Sequence, residues 1–236
     1  MNRMELSENV KLSLIEKGAA LVGFADLTEI PPDDRHGLDY AVSIALSLNP
    51  SLAAQIINGP NQEYFAEYKR INKALLELAR HTAGILQGQG HRAIYTAPTD
   101  VGIDPETHST VLPHKTPATR SGLGWIGKCA LLVTEEFGSA IRLTTVLTNA
   151  KLAAGQPVDQ SRCGKCNDCV DACPGQAPSG KEWRVGLYRD SFFNPFFCRK
   201  TAWEKARKQD IDEIICGICI SVCPWTRKFI NQNDSS

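Results

Sequence analysis

Four cysteines fall within the stretch "CGKCNDCVDACPG" (163–175), spaced C-x₂-C-x₂-C-x₃-C with a proline directly after the last. No other feature limits so tightly what this chain can fold into. A run of thiolates at this spacing directs several soft ligands at one iron–sulfur centre. In bacterial two-cluster ferredoxins the fourth cysteine of the run ligates the other cluster, so the pattern requires a second half elsewhere. "CGICISVCPW" supplies it with Cys216, Cys219 and Cys223 before Pro224, as C-x₂-C-x₃-C. Only the first cysteine of the full pattern is missing there, and Cys198 in "NPFFCRK" takes its place after a long insertion. The ferredoxin rule assigns Cys163, Cys166, Cys169 and Cys223 to one [4Fe–4S] cluster. It assigns Cys173, Cys198, Cys216 and Cys219 to the other. Structural zinc also uses C-x₂-C pairs, but zinc ribbons rarely carry a third cysteine at x₂ and a fourth at x₃ before proline. The ninth cysteine, Cys129, is left over. It precedes "ALLV" and reads as a buried inert thiol, although the neighbouring Lys128 would lower its pKa.

The chain has 236 residues, with 26 basic and 26 acidic side chains, so it lacks the basic excess that marks a strong nucleic-acid binder. No apolar run has the length of a membrane span, and "MNRMELSENVKLS" has no apolar signal core. A cytoplasmic protein with no membrane partner is expected. That compartment keeps thiols reduced, which favours metal ligation over disulfides. The sequence shows no internal repeat and no low-complexity segment, and the tail "NQNDSS" reads as disordered.

Ahead of the cysteines the patterning is mixed. "SENVKLSLIEKGA", with Leu6, Val10 and Leu14 four apart and Gly18 at its end, predicts an amphipathic helix. "AALVGFA", "YAVSIALSL" and "HRAIYTAP" predict strands, and about Gln62 to Gln87 predicts a long helix. "CALLVTEEFGSAIRLTTVLT" predicts two strands joined by a turn containing Gly138. The fold class is α+β, with a first domain over 1–155 and a two-[4Fe–4S] ferredoxin-like domain over 156–236. The boundary is expected in "LAAGQPVDQSR".

"GLGWIG" (122–127) matches the dinucleotide fingerprint G-x-G-x-x-G, but that fingerprint needs a strand before it and a helix after it. Here "HKTPATRS" precedes and the strand-like "ALLVT" follows. The loop is expected instead to lie close against something flat, or to make a tight turn packed on Trp125.

Taken together, "RSGLGWIGKCALLVTEEFGSAIRLTTVLTNA", "CGKCNDCVDACPGQAP" and "CGICISVCPW" resemble the epoxyqueuosine reductase family, which is related to the reductive dehalogenases. The resemblance runs from about residue 8 to residue 227. It implies a cobalamin-reductase-like mixed α/β domain, with Gly122, Gly124, Trp125, Gly127 and Lys128 near the cobalamin and the two clusters feeding electrons to it. It also implies a low-potential donor such as ferredoxin or flavodoxin. Three departures stand out. Tyr95, Thr96, Ala97 and Pro98 occupy the place of the family's catalytic Asp-Ser-Ala-Pro stretch. No C-terminal helical repeats that would grip tRNA follow Cys223, and the segment between "FADL" and "YAVSIALS" looks short. The expected substrate is therefore a small or nucleoside-like molecule; tRNA is not expected, though the sequence does not exclude it.

His114 and Tyr95 are the candidate proton handlers, each with a structural alternative in a packed position. The basic run "RKTAWEKARK" (199–208) reads as a solvated helix face that also suits an acidic electron donor. The preferred reading is a cobalamin-dependent iron–sulfur reductase. The alternative is a cobalamin-free two-cluster electron-transfer protein serving a redox partner.

Overall fold

The computed structural model describes residues 2–100 and 102–233. In chain order the elements are α1 (Arg3–Glu16), β1 (Leu21–Asp26), β2 (Tyr40–Ser47), α2 (Pro50–Gln55), α3 (Gln62–Gly88), β3 (Ala93–Tyr95), α4 (Lys115–Arg120) and β4 (Trp125–Ile126). They continue with β5 (Leu132–Val133), β6 (Ile141–Thr148), α5 (Asp168–Asp171), α6 (Pro195–Arg207), α7 (Ile218–Ser221) and α8 (Pro224–Asn233). The last helix takes in Asn231, Gln232 and Asn233, so half of the tail expected to be disordered is helical; residues 234–236 lie outside the described residues.

The chain divides into two compact units whose segments alternate along the sequence. The first comprises Met1–Leu46, Ile71–Leu123 and Arg142–Val158, and the second Ser47–Arg70, Gly124–Ile141 and Asp159–Ser236. The expectation was two consecutive spans, 1–155 and 156–236. In the second unit α2 packs on α7 and α8, which draws an early segment into the company of the late cysteines. The segment "LAAGQPVDQSR" holds the last crossing, between Val158 and Asp159.

The first unit is built on a four-stranded sheet in the order β1-β2-β6-β3, with β1 antiparallel to β2 and β3 antiparallel to β6. Helix α1 starts at Arg3, earlier than its apolar spacing suggests, because Asn2 caps it. The Asn2 side chain accepts from the N–H of Met4 (2.9 Å) and Glu5 (3.0 Å), and Glu5 accepts from the Asn2 N–H (3.0 Å). Leu6, Val10 and Leu14 are buried, as are Ile71, Leu75, Leu78 and Leu86 of α3. Ala25, Leu27, Leu38, Ala41 and Leu147 form a separate apolar cluster.

The second unit holds the ribbon of β4 and β5, with Trp125 opposite Val133 and Ile126 opposite Leu132. The two strands expected to flank Gly138 are both present, yet they pair with different partners. The chain between them closes on itself. Thr134 N–H donates to Gly138 O (2.9 Å), and Gly138 N–H returns to Thr134 O (3.1 Å). Gly138 is left-handed (φ 58°) and lies against Thr226, whose hydroxyl accepts from Ser139 N–H (3.0 Å). This pinned turn closes with a single antiparallel bridge and then redirects the backbone, so β5 and β6 do not pair with each other. A Cβ at Gly138 would fall on the Thr226 backbone, and an L side chain is strained at this φ. Gly138→Ala is expected to lower unfolding free energy by about 2 kcal/mol or more, read by chemical denaturation.

Candidate metal centre and ligand cavity

The two cysteine runs form a structural repeat that their unequal loops hide in the sequence. In the first, Val170 and Asp171 donate to Asn167 O (2.8 and 2.9 Å), Ala172 to Asp168 O (3.0 Å) and Cys173 to Val170 O (3.3 Å). In the second, Ile220 and Ser221 donate to Gly217 O (2.9 and 3.1 Å), Val222 to Ile218 O (3.1 Å) and Cys223 to Ile220 O (3.3 Å). Each C-x₂-C-x₃-C thus winds one helical turn, α5 or α7, around its middle cysteine. The proline that follows has no N–H to continue the turn.

The interlocking that the ferredoxin rule calls for has a geometric counterpart. Cys163, Cys166 and Cys169 line one cavity of about 90 Å³ together with Cys223 of the other run. Gly127, Lys128, Cys129, Val133, Pro224 and Trp225 complete its wall. Four thiols from two distant segments around one small apolar cavity fit a cluster, whose soft irons take one thiolate each. Of the second set, Cys173 and Cys216 lie within electrostatic reach of each other, and Ala177 N–H points at the Cys173 sulfur (3.5 Å). Just beyond Cys173, Gly175 packs against Phe197 O and Thr201 of α6, the turn that carries Cys198. Asn194 caps that turn by accepting from Phe197 N–H (3.0 Å). Without the charge of iron, burial raises the pKa of Cys166, Cys216 and Cys223. Cluster assembly must therefore release protons.

Two wall residues bear on the expectations for the glycine loop. Lys128 Nζ donates to Gly164 O (2.9 Å), Cys166 O (2.8 Å) and Asn167 Oδ1 (2.9 Å), so it is engaged with the cluster loop. Cys129 is buried and lies close to both Cys169 and Cys219, one thiol from each set. Neither spacing nor periodicity links these positions, so that contact was not legible in the sequence. The glycines also face the chain itself. A Cβ at Gly122 would meet Gln156 O, at Gly124 the Val133 carbonyl, and at Gly127 the Val133 side chain with the Cys163 sulfur behind it. Trp125 is fully buried, edge-on to Trp225 (5.2 Å between centroids), with Arg162 over its ring (5.4 Å). After Trp125 and Ile126 the chain turns into β5, with no helix that could aim its N-terminus at a pyrophosphate.

The first unit contains a cavity of about 400 Å³, lined by Ile94, Tyr95, Leu112, His114, Thr145 and Leu147 and edged by Asp33, Asp34, His36 and Asp100. Its size suits a small molecule. His114 Nδ1 is 3.0 Å from the Thr145 hydroxyl, and its Nε2 is buried with no protein partner. Burial, helped by the nearby Arg142 charge, lowers the His114 pKa to about 4, so the ring is neutral near pH 7 and the charged donor form is absent there. Tyr95 pairs with Val146 while Ile94 pairs with Leu147, so strand alternation turns the Tyr95 side chain to the other face of the sheet. There its hydroxyl meets Arg80 of α3. Both candidate proton handlers therefore border the cavity, but the Tyr95 hydroxyl is turned away from His114.

Comparison with known proteins adds three findings. The family described as "4Fe-4S double cluster binding domain" matches residues 162–226, which shows the chain to carry two [4Fe–4S] clusters. In sequence the chain is similar to the epoxyqueuosine reductase of Atelocyanobacterium thalassa, 34% identical over 125 residues that make up 52% of this chain and 40% of that protein. The chain thus spans less than half the length of that relative. In fold it is similar to a reductive dehalogenase whose structure "suggests a mechanism for B12-dependent dehalogenation" (TM-score 0.74, 16% identity, 99% of this chain and 34% of that one). It is likewise similar to an epoxyqueuosine reductase solved with a tRNA-Tyr stem loop (TM-score 0.64, 19% identity, 96% and 66%). These likenesses establish the α+β fold. Among the described residues no helix is long and apolar enough to cross a membrane.

Two outcomes follow. Cys198→Ser is expected to lose or degrade one cluster, whereas Cys129→Ser keeps the wild-type iron content despite its place in the cavity wall. Iron analysis after anaerobic purification separates them, and a cluster lost from the Cys129 variant would reassign the ligands. Because His114 protonates near 6.5 unfolded but only near 4 folded, the unfolded chain binds the extra proton first as pH falls. Stability is therefore lost between about pH 6.5 and 4, by about 3 kcal/mol at most. Denaturation of the wild type and of His114→Asn across that window should show the fall reduced in the variant.

Proposed function

We propose that this chain is an iron–sulfur reductase in which two [4Fe–4S] clusters take electrons from a low-potential donor and deliver them to a cobalamin, for reduction of a small or nucleoside-like substrate. The observation that carries the proposal is the first cavity, where thiols of both cysteine runs meet. We assign Cys163, Cys166, Cys169 and Cys223 to one cluster, and Cys173, Cys198, Cys216 and Cys219 to the other. When bound, the clusters supply one-electron relays and the corrinoid supplies the reducing centre. The sequence likeness to epoxyqueuosine reductases and the fold shared with a B12-dependent dehalogenase support the cobalamin. The cavity beside His114 is the place for the substrate, with the neutral ring available for hydrogen bonding and the flanking carboxylates favouring neutral or cationic groups. A tRNA substrate, which one fold relative binds, is the less favoured member of this proposal.

The donor side has a candidate surface. Helix α6 exposes Phe196, Phe197 and Trp203 beside Arg199, Lys200 and Arg207, and it carries Cys198. An acidic ferredoxin or flavodoxin suits this face by charge.

One observation favours a second reading. The loop glycines are closed by the chain's own backbone, and the cavity of about 400 Å³ is too small for a corrinoid with its nucleotide tail. A two-cluster carrier handing electrons to a partner protein accounts for the same cysteines without a corrinoid. One experiment tests both. Anaerobically purified protein should contain about eight irons, two clusters of four. Titration with cobalamin should then saturate at one per chain at micromolar concentration. Full iron without cobalamin binding would select the carrier, and zinc in place of iron would overturn both.

A further inference from the structure

The wall of the first cavity contains a cation that the transfer of electrons does not itself require. Lys128 is 4% exposed, and within the second unit it is the one described lysine or arginine in a buried position. Its ammonium meets three acceptors, Gly164 O at 2.9 Å, Cys166 O at 2.8 Å and Asn167 Oδ1 at 2.9 Å. An ammonium has three N–H donors and no acceptor, whereas a neutral amine has only two donors. Three acceptors at hydrogen-bond distance therefore use every proton of the charged form. Two of the three are main-chain carbonyls of the C-x₂-C segment between Cys163 and Cys166, so the charge is fixed against the loop that holds those two ligands.

We propose that Lys128 sets the reduction potential of the cluster held by Cys163, Cys166, Cys169 and Cys223, making it the better electron acceptor of the two. The inference rests on the cluster assignment above. Reduction adds one electron to a centre whose thiolates are already negative, and a fixed positive charge a few ångströms away stabilises that added charge. The interaction is strong because Lys128 is shielded from water, where solvent would otherwise weaken it several-fold. Other charges near this cavity are more exposed. Asp168, whose carboxylate is 3.6 Å from the Cys166 sulfur, is 42% exposed and faces Arg227 at 4.0 Å. Arg162, 52% exposed, is paired with Glu135. Near the second set, Lys205 is only half-buried and donates to Asn58 O (3.0 Å). The two otherwise repeated motifs are thus made unequal by one buried lysine, and electrons run from the cluster of Cys173, Cys198, Cys216 and Cys219 toward the one beside Lys128.

The test is a reductive titration of the anaerobic holoprotein followed by electron paramagnetic resonance, with iron counted in each sample. The variants are Lys128→Met, which keeps the length of the side chain and removes its charge, and Asn167→Asp, which keeps the ammonium and offsets it with a carboxylate. In each, one cluster should become harder to reduce by at least tenfold in its equilibrium constant, about 59 mV for one electron, while the other stays unchanged. Unchanged potentials in a Lys128→Met protein with full iron would overturn the proposal. Should Lys128→Met lose a cluster, Asn167→Asp decides. A lowered potential there supports the electrostatic role. An unchanged potential, or a lost cluster there too, reduces Lys128 to a strut for the loop. Wild-type protein without iron would instead refute the cluster assignment on which the inference stands.

Discussion

Everything in the second unit depends on thiols from two distant stretches converging on one cavity. Cys223 stands fifty-four residues beyond Cys169, yet both line the same wall. A cluster at that point closes a long loop, and closing long loops removes the most entropy from the unfolded chain. The insertion between the two runs is tolerable for the same reason, since closure entropy grows only slowly with loop length. It provides α6, whose first turn brings Cys198 toward the second set while its exposed aromatic and basic residues stay on the surface.

The pull of the cysteines reaches upstream. Segments 47–70 and 124–141 belong to the same compact unit as the clusters, because α2 packs on α7 and α8 and the turn at Gly138 is pinned by Thr226. The stretch from Gly124 to Cys129 therefore does two jobs at once. Its glycines allow backbone to approach backbone, and its lysine and cysteine help wall the cavity that four cysteine thiols line. The first unit, with its own sheet, keeps a cavity of a size for a small molecule and a histidine whose burial holds it neutral.

Local chemistry was the most legible part of the sequence. The cysteine spacing pointed to the cluster domain because the same few residues both wind the turn and carry the thiols. The buried faces of α1 and α3 were visible in their four-residue spacing. What escaped detection depended on contacts between distant residues. Nothing in "LLVTEEFGSAIRL" reveals that Thr226 pins its turn and sends its two strands to different sheets. The alternation of units was hidden for the same reason. The structural repeat of α5 and α7 escaped because Asp, Val and Asp in one turn stand where Ile, Ile and Ser stand in the other, so only the cysteines match. Lys128 lay in a motif that resemblance linked to cobalamin, and only its three acceptors show which loop it holds. His114 was legible as a candidate, whereas its protonation state depends on burial and on Arg142.

The central claim is that the two clusters are interlocked in one unit through ligands exchanged between the two cysteine runs. Magnetic interaction between the clusters tests it most directly. On full reduction, two paramagnetic clusters held by α5 and α7, which pack on each other, should give a broadened spectrum showing spin coupling. At half reduction the spectrum should simplify toward isolated centres. A fully reduced protein showing two sharp, independent signals, or one cluster only, would contradict the interlocked assignment.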